Sequence, residues 1–176
     1  MNGKIEAIKI AREYQIPFFG ICLGMQCAVV EFARNVLKLD DASSTEIDDN
    51  LKNPVIDIME NQKNIKKMGG TMRLGAYNCV LEPDSLASQV YGQNKISERH
   101  RHRYEFNNNY LYQFRKAGML ASGINQETDL VEIIELKNHP WFIATQFHPE
   151  LKSTVVNPHP LFVGFVDAAL KQKKNR

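Results

Sequence analysis

Cysteine is scarce in this 176-residue chain: three residues, Cys22, Cys27 and Cys79, with no paired spacing. That argues against a disulfide-stapled scaffold and for a reducing compartment. Net charge is only +2, which leaves no case for a nucleic-acid or membrane partner held by bulk electrostatics. No apolar stretch approaches membrane-spanning length, and no signal peptide, internal repeat or low-complexity block is found. A Gly-x-x-x-x-Gly-Lys-Ser/Thr phosphate loop is missing too. The expectation is a cytoplasmic globular protein. What is present agrees: 43% hydrophobic and 24% charged residues, over a length that suits one domain with a real core.

The most informative stretch is Gly20-Ile21-Cys22-Leu23-Gly24-Met25-Gln26. It follows an apolar run, Ile16 to Phe19, that reads as a short buried strand. After it, Met25, Ala28, Val29, Phe32, Ala33, Val36 and Leu37 recur at helical spacing. Strand, Gly-x-Cys-x-Gly, helix is the layout of a nucleophile elbow with a thiol in place of a serine hydroxyl. Gly20 and Gly24 would let strand and helix approach while Cys22 is pushed outward. Its sulfur would face the positive end of the helix, which favours thiolate, and the Leu23 N–H would point where an oxyanion forms. A cysteine between glycines also suits a tight corner filled by a small apolar side chain.

A second motif, Gln146-Phe147-His148-Pro149-Glu150, closes the strand-like run Trp141 to Phe147. The proline fixes the backbone there, which suits His148 as a base and Glu150 as its orienter, although such a turn is also an ordinary strand end. Cys22 and His148 are far apart in sequence, so only the fold can join them.

Helix, strand, elbow, helix in that order indicates a layered α/β fold. Helices are expected at residues 5–14 (Ala7, Ile8, Ala11 and Tyr14 inward), 85–91, 110–117 with Gly118 as C-cap, and 160–172 with Leu161, Phe162, Phe165, Ala168 and Ala169 inward. A short strand or a turn is expected at 55–59, and strands at 72–81 broken at Gly75, from 119, at 130–136 and at 141–147. Residues 40–54 read as a polar loop, 61–70 as a basic connector and 171–176 as a frayed tail. Cys27 and Cys79 are expected to be plain buried residues. Arg99, Arg101 and Arg103 alternate with His100 and His102, so an extended run places the arginines on one face and the histidines on the other. Its shortness, its flanking Glu98 and Glu105 and the near-neutral total charge argue against nucleic acid.

Together these features resemble the triad-type (class I) glutamine amidotransferases, and more narrowly the glutaminase domain of the CTP synthases. The narrower likeness rests on strings in fixed order: Ser44-Thr45-Glu46, Lys67 to Gly75, Arg99 to Glu105, Leu130 to Glu135, and Asn138 to Phe142 leading into Gln146 to Glu150. It covers essentially the whole chain. The resemblance implies a three-layer, flavodoxin-like α/β fold. It makes Cys22 the nucleophile, His148 the general base and acid, and Glu150 its orienter. L-glutamine would be held by Leu23, Gly24, Met25, Gln26, Glu46 and Arg103, an acid for the α-ammonium and a planar fork for the α-carboxylate. Taken alone, Glu46 reads as a solvated acid and Arg103 as a surface ion pair.

The family's glycine-rich loop, which gives a second oxyanion amide, would precede Asn2, so that loop and the first strands are expected to be missing. Residues 1–176 are then a partial glutaminase domain without the synthetase domain. That domain would take ATP, UTP and Mg2+, with GTP as the family's allosteric activator; no cofactor or metal is expected in this chain itself. The implied partners are L-glutamine, the synthetase domain and further copies in a homo-oligomer. Missing strands would expose an edge and apolar faces, so the isolated chain is expected to associate and to hydrolyse glutamine weakly. Alternative readings are a glutaminase serving another acceptor, against which the Arg99 to Glu105 and Gly69 to Gly75 strings speak, and a catalytically impaired remnant or binding fragment.

Overall fold

A computed structural model describes residues 1–58 and 72–174. The connector expected at 61–70, part of the 67–75 string and the last two residues of the tail lie outside the described residues. In chain order the elements are α1 (Asn2–Glu13), β1 (Phe18–Ile21), α2 (Leu23–Asn35), β2 (Ser43–Ser44), β3 (Pro54–Ile58), β4 (Arg73–Leu81) and α3 (Leu86–Tyr91). Then follow β5 (Lys95–His102), β6 (Tyr104–Phe106), α4 (Leu111–Ala117), β7 (Met119–Asn125), β8 (Leu130–Leu136), β9 (Phe142–Thr145) and α5 (Pro160–Lys174). Two short 3-10 turns cover Asn108–Tyr110 and Pro149–Lys152.

Six strands form one sheet in the order β1-β9-β8-β7-β4-β5, and β2-β3-β6 form a smaller one. Within the larger sheet only β1 and β9 run parallel; its other pairs are antiparallel. Side chains alternate across it with period two. Phe18, Phe142 and Ala144 join a core with α1, α2 and α4, whereas Phe19 and Ile143 join a second core with α3 and α5. Two cores on opposite faces make the three layers of the expected α/β fold. Each fully buried Phe, Leu or Ile contributes about 1.5–3 kcal/mol, so burial on both faces fixes the central strands.

Several elements differ from expectation for identifiable reasons. Helix α1 buries Ile5, Ile8 and Ala11, while Ala7 and Tyr14 face outward. Two isoleucines bury more apolar area than an alanine, and the same rotation brings Arg12 onto buried Glu31 at 2.8 and 2.9 Å. Strand β4 continues through Gly75, which takes φ +99° while still paired with His100. The polar stretch at 40–54 contains a two-residue strand, β2, paired with β3. Helix α5 runs on to Lys174, past where the tail was expected to fray, and Ala169 is exposed. Ser85 caps α3 by accepting from the Ser88 N–H, one residue ahead of the helix, and Gly118 ends α4 at φ +103° as expected.

β1 is an edge strand, paired among the described residues with β9 alone. Beside it, Val163, Val166 and Leu170 of α5 are each about half exposed. No helix among the described residues is long and apolar enough to cross a membrane.

Candidate active site

Parallel pairing sets Phe18–Ile21 against Phe142–Thr145, and the Cys22 N–H extends the ladder by donating to the Thr145 carbonyl at 2.7 Å. The carboxyl ends of β1 and β9 therefore lie side by side, with the elbow on one and the Gln146-to-Glu150 segment on the other. Cys22 turns at once into α2 as its N-cap, with φ 49° and ψ −102°. A side chain held at such a backbone angle costs about 1–3 kcal/mol and persists only where its surroundings leave no alternative. Gly20 is part of that constraint. A Cβ there would lie 2.8 Å from the Ala144 Cβ and 2.9 Å from the Gly24 carbonyl carbon, whereas a Cβ at Gly24 would meet nothing within 4 Å. The close approach expected of both glycines is thus enforced at Gly20 alone.

The expectation of a resting thiolate is corrected. Burial pushes the Cys22 thiol up, and the carboxylates of Glu105 and Glu150 push the same way. Hydrogen bonds from the Leu23 backbone N–H and the Gln146 side chain pull it down, but less. The cysteine rests as a thiol and needs a base.

His148 stands just past the end of β9, the strand beside the Cys22 elbow. Its Nδ1 lies 2.6 Å from Glu150 Oε1. A carboxylate only accepts, so Nδ1 carries the proton and Nε2 is left with a lone pair. Nε2 is buried and has no hydrogen-bond partner among the described residues. The backbone of His148 is fixed by its N–H donating to the Arg99 carbonyl at 2.8 Å.

The remaining site residues gather unevenly. Strand β5 ends at His102, so Arg99 and Arg101 are exposed and His100 and His102 buried as expected. Arg103 leaves the alternation, because the chain crosses there to the smaller sheet. The Tyr104 phenol is raised first by burial and next by Glu46, with Arg103 opposing. Gln26 donates to the Tyr104 carbonyl at 3.0 Å and to Gln146 Oε1 at 3.4 Å. Met25, expected to help hold L-glutamine, is fully buried and packs in the core beneath α2.

A buried charged network behind the site goes beyond the sequence expectations. Arg73 donates to Glu132 at 2.6 Å and to Glu105 at 3.4 Å, and Glu105 lies 2.6 Å from His102 Nε2. Acids inside the apolar run Leu-Val-Glu-Ile-Ile-Glu are the one available signal. Its second acid, Glu135, accepts from the Leu86 and Ala87 N–H groups at the start of α3.

Two network groups make opposing contributions to stability against pH. Burial first, then the Arg73 charge, lowers His100 to about 2, so it sits 3.6 Å from Glu132 as a neutral ring. Unfolding lets it charge, hence its contribution is lost as pH falls from 6.5 towards 2. Burial raises Glu132 to about 7, so its contribution is lost as pH rises from 4.5 to 7. The two offset each other between 4.5 and 6.5, and below 4.5 His100 acts alone. His100→Leu, which removes no hydrogen bond, is expected to flatten the loss of urea midpoint below pH 4.5; an unchanged slope there contradicts this assignment.

Among the described residues no group of three or more His, Cys, Asp or Glu side chains could hold a metal ion.

Comparison with known proteins identifies the family. The sequence pattern of the glutamine amidotransferase class-I family matches residues 1–168. A CTP synthase of Cytophaga hutchinsonii is 68% identical over 169 residues, which are 96% of this chain and 31% of that protein. One from Christiangramia forsetii is 62% identical over 177 residues, 98% of this chain and 32% of that protein. The chain thus spans about a third of the length of the curated relatives it matches. The solved Trypanosoma brucei CTPS glutaminase domain with bound acivicin superposes with TM-score 0.91 at 40% identity, covering 97% of this chain and 66% of that one. A glutamine amidotransferase of Thermotoga maritima, at 14% identity and TM-score 0.55 over 98% of this chain and 56% of that one, shares the fold. The elbow on β1, the histidine and acid beyond β9 and the family match lead to one assignment: this chain belongs to the class-I glutamine amidotransferases.

Proposed function

We propose that the chain hydrolyses L-glutamine through Cys22, His148 and Glu150, releasing ammonia. The observation that carries this is the 2.6 Å His148–Glu150 contact at the end of the strand beside the Cys22 elbow. Glu150 fixes the imidazole tautomer, and His148 Nε2 takes the thiol proton. The sulfur then attacks the side-chain carbonyl carbon of glutamine, and the Leu23 N–H donates to the resulting oxyanion. As the C–N bond breaks, His148 returns the proton to the leaving nitrogen, giving ammonia and a γ-glutamyl thioester. Water, deprotonated by His148, cleaves the thioester to glutamate and restores the thiol. Glu46 and Arg103 hold the α-ammonium and α-carboxylate.

Likeness to CTP synthases supports a destination for the ammonia: a synthetase domain that aminates UTP at the expense of ATP, in the cytoplasm and within a homo-oligomer. Acivicin, bound in the Trypanosoma brucei domain, supplies the test. It is expected to modify Cys22 and spare Cys27 and Cys79, both fully buried, as read by peptide mass mapping, with L-glutamine protecting. Modification elsewhere, or no protection, contradicts the reading.

A further inference from the structure

We propose that Gln146 is a catalytic residue of this site, its side-chain amide donating a hydrogen bond to the Cys22 sulfur that steadies the anion formed there. The inference rests on the reading of Cys22 as nucleophile. Gln146 is completely buried, its backbone N–H donates to the Glu132 carbonyl at 2.8 Å, and its Nε2 lies 3.6 Å from Cys22 Sγ.

An isolated amide could present either end to the sulfur; this one cannot. The relay starts at the Tyr104 backbone carbonyl, which can only accept. Gln26 must turn its NH2 group to that carbonyl, at 3.0 Å, and the same group also donates to Gln146 Oε1 at 3.4 Å. With its oxygen occupied, Gln146 has its NH2 left for the sulfur. The polarity of the whole chain is thus set by one acceptor-only group at its far end. A donor at the near end favours the charged form of the thiol over the neutral one.

This supplies what the corrected electrostatics of the elbow require. Burial and two carboxylates work against the thiolate, and the donors that oppose them are the Leu23 N–H and Gln146. The backbone amide also has the oxyanion to serve. Gln146 has no such second task, and its burial keeps water from competing for the contact. The relay further connects the Arg103–Tyr104 segment to the nucleophile, so seating a ligand against Tyr104 bears on the sulfur through two glutamine side chains.

The test needs no glutamine. Alkylation of the full chain by iodoacetamide, followed at the Cys22 peptide by mass spectrometry across pH, reports the fraction of thiolate, because only S⁻ displaces iodide. Gln146→Met keeps the side-chain length without the donor or any new charge. It is expected to raise the midpoint of the rate–pH curve by about one unit, roughly a tenfold slower reaction below the midpoint, with the high-pH plateau unchanged. Gln26→Met leaves Gln146 in place but frees its amide to turn, and is expected to raise the midpoint by less. A merely structural role for Gln146 lowers the melting temperature or alters the plateau without moving the midpoint, and that outcome overturns the inference. Should Gln146→Met not fold, Gln26→Met decides alone: an unmoved midpoint sinks the relay. If the midpoint stays put while acivicin labels Cys22, only this inference falls; if it rises while Cys22 proves unnecessary for hydrolysis, only the assigned reaction falls.

Discussion

Replacing Cys22 with alanine is expected to lower glutamine hydrolysis by about 10⁴-fold or more, measured as glutamate release under single-turnover conditions. Neither of the other two thiols can substitute as nucleophile: Cys27 and Cys79 are fully buried, and burial raises both further from reactivity. His148→Ala is expected to cost a similar factor, because Cys22 rests protonated and the proposed reaction uses His148 Nε2 to take its proton. Combining the two is expected to cost little more than either, since nucleophile and base act as a unit. Glu150→Gln is expected to cost less, because the imidazole stays in place while its tautomer is no longer enforced. Melting curves of the cysteine variant are expected to match the parent closely, which separates lost chemistry from lost fold. A Cys22→Ala chain that releases glutamate at the parent rate ends the assignment.

The second large effect is on stability. Arg73→Met is expected to destabilise the fold by about 3–5 kcal/mol, a drop in melting temperature of roughly 6–20 °C for a domain of this size. Arg73 is 5% exposed, with Glu132 fully buried and Glu105 nearly so. Removing the guanidinium leaves Glu105 in the interior without its cation and takes from Glu132, which burial already raises to about 7, its hydrogen-bond donor. Packing contributes less, because methionine replaces most of the aliphatic stem over the Tyr77 ring, which the guanidinium now covers at 4.3 Å. Adding Glu132→Gln to Arg73→Met is expected to recover part of the loss only at pH well above 7, where Glu132 would otherwise have to ionise with no cation beside it. A double variant no better than the single one at that pH contradicts this origin of the cost.

That network also has a bearing on the site. The Glu132 carbonyl accepts the Gln146 N–H, the Arg99 carbonyl accepts the His148 N–H, and Glu105 precedes Phe106 in the smaller sheet, one residue from Tyr104. Side-chain pairing among β4, β5, β6 and β8 thus braces the backbone that carries the candidate site residues.

How much of this is legible in the sequence depends on whether the physics is local. The elbow largely is: Gly20 has to be bare in part because nearby Gly24 presses on it, and a Gly-x-Cys-x-Gly pattern between an apolar run and a helical one announces that. The pressure from Ala144 on β9 is not visible there. His148 and Glu150 are also local, two residues apart around a proline. Met25 lies within the same heptapeptide yet turns into the core, since only helix geometry decides which of its residues face outward. Arg103 breaks an alternation that holds for Arg99 and Arg101, because the crossing to a second sheet depends on strands far away in the chain. The charge state of Cys22 escapes the sequence for the same reason: the helix terminus is visible there, but Glu105 and the depth of burial are not. Gln146 stands in a recognisable motif that assigns it no task, since its role exists only once Gln26 and Tyr104 stand next to it.

Central to the assigned chemistry is a covalent bond between the Cys22 sulfur and the side-chain carbonyl carbon of glutamine. Rapid mixing of the chain with isotopically labelled L-glutamine, acid quenching and peptide mass mapping reads that bond directly. A γ-glutamyl group on the Cys22 peptide, labile to hydroxylamine and gone in Cys22→Ala, is the expected result. Glutamate formed while Cys22 remains unmodified, or an adduct on another side chain, contradicts it.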